Sequence, residues 1–334
     1  MESYVVVGGG IAATQAAETV RAHRAEDAIT VIAEEERPFY MRPLLADLVA
    51  GRIEEKGLWR DYESAAEAKD ITLVTGKRVT GIDRGTHSLR VSDGGSVSYD
   101  KLLVATGVRP RPPEIPGIEL EGVTAFSAYA DAVRISQWAE KARRAVVVGR
   151  GLQGVELTRA LRLRGLDVTM VVPDESPWFP ALFQVKGDLI EQVLDRHGVN
   201  VIALDAPAEL VGEEGRVTGV RTREGRELSG EIVGFAVDQR ASVDFLVGSG
   251  ISLADGVVVD ERLRSTDESV WAAGDVAQIQ QGGKRRRIGY GWMRAMSQGQ
   301  AAGLNMCGRE TRVEVGDEEQ AQSLYGMSLL ARWE

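Results

Sequence analysis

The sequence predicts an α/β protein in which one strand–glycine turn–helix–strand unit is used twice. Two phrases carry this expectation, VVVGGGIAATQ at residues 5–15 and VVVGRGLQGVE at residues 146–156. A third observation is bulk. The chain has 334 residues, 43% of them hydrophobic, enough for two domains, each with its own core.

In the first phrase Val5–Val7 is a β-branched run of the kind that forms a buried parallel strand. Gly8-Gly9-Gly10-Ile11-Ala12-Ala13 then opens an alanine-rich segment of good helix propensity that reaches Ala25. Gly8 permits the tight turn, Gly10 lets backbone approach a diphosphate, and the small Ala13 lets helix pack close on strand. The helix N-terminus is thereby aimed at negative charge. A second strand, Ile29–Ala33, ends in Glu34-Glu35, about 20 residues beyond the glycines, where a carboxylate accepts hydrogen bonds from an adenosine ribose. Strand, turn, helix, strand and terminal acid in that order point to a bound dinucleotide.

The second phrase repeats the pattern: strand Ala145–Val148, then Gly149-x-Gly151-Leu152-Gln153-Gly154, a helix to about Arg164, Gly165 as its stop and strand Asp167–Val172. Here Pro173 occupies the place of the terminal acid and Asp174-Glu175 follow, so the ribose contact is expected to be shifted, with Asp174 as the candidate, or lost. Acids at that point repel a 2′-phosphate, and no arginine lies between Val168 and Phe183, which favours NADH over NADPH. Two dinucleotide sites in one chain imply two dinucleotides, one handing electrons to the other, and FAD with a nicotinamide is the natural pair.

Composition excludes several alternatives. With Cys307 alone, an internal disulfide, a Cys-x-x-Cys pair and a cysteine-rich metal or iron–sulfur site are ruled out. His23, His87 and His197 are scattered without metal-ligand spacing, so no metal is expected. A net charge of −10 argues against a nucleic-acid surface. No apolar run approaches the roughly 18 residues of a membrane span, and no leader-like segment opens the chain, so the expected location is the cytoplasm.

Further motifs extend the pattern. ITVIAEEERPFYMRPLLADLVAG follows the first unit, YDKLLVATGVRPR spans residues 99–111 and VWAAGDVAQ spans residues 270–278. With the glycine turns, these segments make the chain resemble the pyridine nucleotide–disulfide oxidoreductase superfamily, in its branch of ferredoxin and rubredoxin reductases, nitrite reductase flavoproteins and apoptosis-inducing factor. The resemblance covers residue 1 to about residue 310. It implies that Glu34 and Glu35 hold ribose, that Arg42 contacts FAD, and that Val79 and Ala105-Thr106-Gly107 lie close to it. It also implies that Asp275, beside Val276, binds the ribityl chain, as a carboxylate at a strand end is able to do.

The departures are equally informative. Disulfide reductases carry a cysteine pair where this chain has Tyr40–Leu45, so thiol and peroxide chemistry are set aside. Asp47 replaces a lysine common in ferredoxin reductases, and in GFAVDQRASVDFL Arg240 is kept while Asp238 and Ala241 stand for glycine and proline. Relatives usually carry a third, interface domain. Here it is expected to be largely absent, with 311–334 as a short remnant.

The expected organisation is two Rossmann-like three-layer domains: an FAD domain of residues 1–112 and 241–310, with a nicotinamide domain inserted at 113–240. Residues 79–99 and 209–232, with their turn-prone glycines, read as antiparallel excursions. No repeat beyond the nucleotide unit is evident. Glu156, on the first turn of the second helix, is either a carboxylate favoured by the helix dipole or, by the resemblance, a neighbour of the stacked rings. Trp292 opens a helix running to Met306 and is either a core or interface tryptophan or a neighbour of the flavin. Lys284–Arg287 is expected at a hairpin tip, as a solvated charge run or as a docking patch for an acidic carrier. The leading expectation is an NADH-dependent FAD reductase serving a one-electron carrier such as ferredoxin or rubredoxin, without a catalytic side chain. A slow NADH-sensing flavoprotein and a component of a larger reductase are the alternatives.

Overall fold

The computed structural model describes the chain except residues 38, 60–61, 150, 174–188, 237–238, 282–283, 288–290 and 314–334. The expectations for Asp174, Asp238 and most of the tail therefore lie outside the described residues. The rest forms two compact units. One comprises Met1–Tyr40, Trp59–Arg109 and the described part of 240–316, and the other comprises Met41–Leu58 and Pro110–Gln239. Around the first glycine turn stand β1 (Ser3–Val7), α1 (Ile11–His23) and β2 (Ala28–Ile32). Around the second stand β3 (Arg144–Val148), α2 (Leu152–Leu163) and β4 (Asp167–Val172), and α3 (Trp292–Met306) is the last described helix.

In the first unit β1 is the middle of a five-stranded parallel sheet. It pairs with β2 on one side and Lys101–Val104 on the other; Thr72–Val74 lies beyond β2 and Val270–Ala272 beyond Lys101–Val104. Val5, Val6, Leu102 and Leu103 are fully buried, as expected of central strands covered on both faces. α1 buries a face of small residues, Ala12, Ala13, Ala16 and Ala17. It stops at His23, short of the expected Ala25, because the Arg21 guanidinium turns back to take the carbonyls of Arg24, Ala25 and Asp27. α3 crosses α1 backbone to backbone. A Cβ at Gly299 would lie 2.3 Å from Ala12 O and one at Gly303 2.9 Å from Ala16 O, so only glycine permits this approach.

The second unit is built on the same plan. β3 is central between β4 and Ile232–Phe235, with Asn200–Ala203 and Val123–Ala125 at the two edges, all parallel. In each unit, counting from the strand that enters the glycine turn, a three-stranded antiparallel meander stands between the third and fourth parallel strands: Val79–Asp83, Ser88–Val91 and Ser96–Ser98 in one, Pro207–Glu213, Arg216–Thr222 and Glu227–Ser229 in the other. The repeat therefore extends well past the nucleotide unit, contrary to the sequence expectation. Meander strands need only alternating burial and turn residues, so the two copies share no readable phrase.

Two further expectations change. Residues 41–58, assigned from sequence to the first domain, belong to the second unit, because the short helix Leu45–Val49 packs on α2 and on the helix Tyr129–Ala139. Arg164 Nε donates to Val49 O at 2.7 Å and Arg42 Nη1 to Ser127 O at 2.8 Å, tying the segment down at both ends. Lys284–Arg287 is not a hairpin tip but a strand, antiparallel to Ala277–Gln281 at the edge of a three-stranded sheet. Cationic residues on an edge discourage pairing with a further strand.

Candidate dinucleotide sites

The parallel order of the first sheet brings the expected cofactor residues to one edge. The carboxyl ends of its strands carry Gly274-Asp275-Val276, then Ala105-Thr106-Gly107, then Gly8-Gly9-Gly10, then Glu34-Glu35. Strand order reverses between β1 and Lys101–Val104, and a doubly wound sheet binds its ligand in the crevice at that reversal. Gly8 stands at the reversal with φ 137°, and a Cβ there would lie 2.1 Å from Ala105 O. Glycine is therefore required at residue 8 by the protein alone.

Gly10 differs in kind. Its φ of −96° suits any residue, and a Cβ there would meet nothing within 4 Å. Gly10 is the N-cap of α1, with no side-chain cap and no acid in the first turn. The amides of Ile11, Ala12 and Ala13 thus open a helix whose positive end faces room at Gly10, a donor set suited to a diphosphate. Phe39 N donates to Gly9 O at 3.0 Å, which pins the segment after β2 onto the turn.

Glu34 follows β2 and is held from both sides, Oε1 by Arg78 Nη2 and Oε2 by Arg109 Nη2. Neither arginine was singled out from sequence. Arg109 lies two residues past Gly107 and Arg78 precedes the expected contact Val79, so nearness to a motif was the available signal. Gly76 N donates to Glu35 O and Lys77 N to Ala33 O, which brings the start of the Val79 strand to the same acids. At the other end of the edge, Gly274, φ 79°, donates its amide to Gln298 Oε1 of α3 at 2.7 Å in the interior. Gln298 is 1% exposed and had no sequence signal; it fixes the turn that presents Asp275. Trp292 is half-buried as the first residue of α3. Cys307, just past the end of α3, is buried, and burial pushes its thiol up.

In the second unit Gly149, φ 111°, and Gly151, the N-cap of α2, form the corresponding turn. A Cβ at Gly154 would lie 2.2 Å from Gly149 O, so close helix–strand packing requires glycine there, while Ala13 fills the matching position in the first unit. Leu152 and Gln153 are half-buried in the first turn of α2, and Gln153 accepts a hydrogen bond from Gln239. Glu156 is buried one turn further on. Arg42, grouped by resemblance with Glu34 and Glu35, belongs to the second unit, where the structure gives it the Ser127 carbonyl.

Comparison with known proteins agrees with this architecture. The family model described as pyridine nucleotide-disulphide oxidoreductase matches residues 2–302. The chain is 31% identical over 277 residues to rhodocoxin reductase of Rhodococcus erythropolis, covering 82% of this chain and 65% of that protein. It is 30% identical over 315 residues to the ferredoxin–NAD(+) reductase component of the anthranilate 1,2-dioxygenase system of Burkholderia cepacia, covering 92% of this chain and 76% of that one. A solved ferredoxin reductase from Rhodopseudomonas palustris shares the fold, with a TM-score of 0.87 at 24% identity over 95% of this chain and 79% of that one. The chain spans less than two thirds of the length of rhodocoxin reductase. Among the described residues no helix is long and apolar enough to cross a membrane. Two Rossmann-like sheets with a glycine turn at each reversal of strand order, in a chain matched by one family model over most of its length, make this protein a member of the pyridine nucleotide-disulphide oxidoreductase family.

Proposed function

We propose that the protein is a cytoplasmic NADH-dependent FAD oxidoreductase that delivers electrons to a small one-electron carrier of the ferredoxin or rubredoxin type. The observation that carries this reading is the pair of glycine turns at the two strand-order reversals, the first with open space where a side chain at Gly10 would stand. The names of the relatives support the choice of acceptor class. A single buried cysteine and a net charge of −10 suit a reducing compartment and a protein carrier rather than nucleic acid.

In this reading the amides of Ile11, Ala12 and Ala13, reached past the Gly8–Gly9–Gly10 turn, receive the FAD diphosphate, Glu34 and Glu35 accept from its ribose, and Asp275 and Val276 adjoin the ribityl chain. Val79, Ala105, Thr106, Gly107 and Trp292 complete the FAD contacts. Gly149, Gly151, Leu152, Gln153 and Gly154 receive the nicotinamide dinucleotide, with Glu156 beside it. FAD, when bound, supplies the conversion between the hydride of NADH and single electrons for the carrier. The protein aligns the two cofactors and keeps acids away from both diphosphates, so no side chain is assigned proton transfer.

Anaerobic titration of the purified protein with NADH and then NADPH tests the reading. A yellow protein whose flavin band bleaches with about one equivalent of NADH is expected, with NADPH at least roughly tenfold less effective through repulsion by the acids after β4. Colourless protein that refuses flavin on reconstitution would overturn it. The basic edge strand Lys284–Arg287 is the proposed landing place for an acidic carrier. Replacing all four cations with glutamine should slow carrier reduction and flatten its salt dependence, while NADH reduction of the flavin stays unchanged. A carrier rate that does not move would remove the patch from the interface.

A further inference from the structure

Gln239 Nε2 donates to Gln153 Oε1 at 2.8 Å. The two amides stand on opposite sides of the strand-order reversal in the second sheet. Gln153 lies in the first turn of α2, which leaves the end of β3, whereas Gln239 comes shortly after the strand Ile232–Phe235, the parallel neighbour of β3. From β3 the chain steps outward through β4 to Asn200–Ala203, then returns to the opposite side for Ile232–Phe235. The amide pair therefore bridges the crevice in which a doubly wound sheet takes its dinucleotide.

Sheet order also fixes which half of the ligand meets the bridge. In this architecture the adenosine ribose lies at the end of the second strand, here β4, and the diphosphate at the helix N-terminus, here α2. With those two positions taken, the rest of the dinucleotide extends across the reversal, toward Ile232–Phe235 and Gln239. That half carries a carboxamide, one carbonyl acceptor and one NH2 donor without charge. The bridge uses only the Gln153 oxygen and one Gln239 N–H, and no other hydrogen bond of either side chain is present among the described residues. It leaves the Gln153 NH2 and the Gln239 oxygen, a donor and an acceptor that match a third amide.

We propose that the Gln153–Gln239 bridge reads the carboxamide of the nicotinamide, and that Gln239 determines specificity for that half of the dinucleotide. The inference rests on the second unit being the nicotinamide site. A half-buried amide pair left without its partner loses hydrogen bonds that water replaces poorly, so analogues lacking the carboxamide are discriminated against.

The test is equilibrium binding to the full-length flavin-loaded protein of NAD+, of ADP-ribose, which has no nicotinamide, and of the 3-acetylpyridine analogue, which has no amide nitrogen. Wild type should hold NAD+ roughly tenfold tighter than the acetylpyridine analogue. Gln239→Leu should weaken NAD+ by about tenfold, abolish the preference over the analogue, and leave ADP-ribose within about twofold of wild type. Retained ADP-ribose binding also certifies that the variant is folded. If Gln239→Leu does not fold, Gln153→Leu removes the same bridge from the other side, with the same expected pattern. Equal weakening of NAD+ and ADP-ribose would overturn the inference, because the bridge would then only shape the turn; so would an unchanged NAD+ affinity. Wild type that binds neither NAD+ nor ADP-ribose would instead overturn the nicotinamide site itself, and the inference with it.

Discussion

Arg159 Nη1 lies 3.5 Å from Asp47 Oδ1, with the two side chains only 4% and 13% exposed. Arg159 stands on α2, so the cation that faces Asp47 comes from that helix. The pair joins the Met41–Leu58 segment to the helix that opens at the second glycine turn. Arg159→Met leaves the Asp47 carboxylate buried without this partner and should lower stability by about 3 kcal/mol. Adding Asp47→Leu should recover most of that loss, because the charge left behind is what costs. Denaturant unfolding of the two singles and the double checks this, and additive losses would show that the two side chains are not coupled.

Gly8 and Gly10 separate folding from binding. Gly8→Ala places a Cβ 2.1 Å from a backbone oxygen at a φ of 137°, and should destabilise the flavin-free protein by about 3 kcal/mol or more. Gly10→Ala meets nothing within 4 Å, so the flavin-free melting point should stay within a degree or two, while FAD affinity falls at least roughly tenfold. Thermal melts with and without added FAD distinguish the cases. An unimpaired FAD affinity in Gly10→Ala would mean that the diphosphate does not sit there.

Glu34 tests the opposite situation, an exposed carboxylate in two ion pairs. Exposed pairs contribute little, so Glu34→Gln should cost less than about 1 kcal/mol of stability in the flavin-free protein. The same change replaces the charged acceptor proposed for the ribose with a neutral amide that keeps one weaker acceptor oxygen, and should accelerate FAD loss by about tenfold. Flavin fluorescence on dilution measures that release. If FAD is held as tightly as before, Glu34 serves only Arg78 and Arg109.

Asp205 gives a pH signature. Its side chain is completely buried, accepting from Ala206 N at 2.8 Å, Glu224 N at 3.3 Å and Arg226 Nη1 at 2.5 Å. Burial raises its carboxyl, but the hydrogen bonds from Thr222, Arg226 and the two amides outweigh burial and hold it below the ordinary carboxylate value. A depressed folded-state pKa means stability that is fully present above the unfolded value of about 3.9 and lost as pH falls through the folded one. Asp205→Asn should therefore lower stability at neutral pH and flatten the loss below about pH 4. Unfolding free energies measured from pH 7 to pH 3 decide it, and an unchanged acid limb would exclude Asp205 as a source of that loss.

What the sequence determined by itself is what local chemistry encodes. The β-branched runs at Val5–Val7 and Val146–Val148, the left-handed turns at Gly8 and Gly149 and the uncapped helix starts act within a few residues, so fold class, both glycine turns and the antiparallel excursions could be read in advance. The tertiary structure alone decided what pairs at a distance. Arg78 and Arg109 reach Glu34 across 44 and 75 residues, Gln239 reaches Gln153 across 86, and Arg159 reaches Asp47 across 112. Hydrophobic period and turn composition carry no information about such partners, because a side chain's partner is set by where two separately formed elements come to lie. The same limit holds for residues 41–58: which sheet a short helix covers depends on the faces that packing presents to it, not on the segments that flank it in the chain.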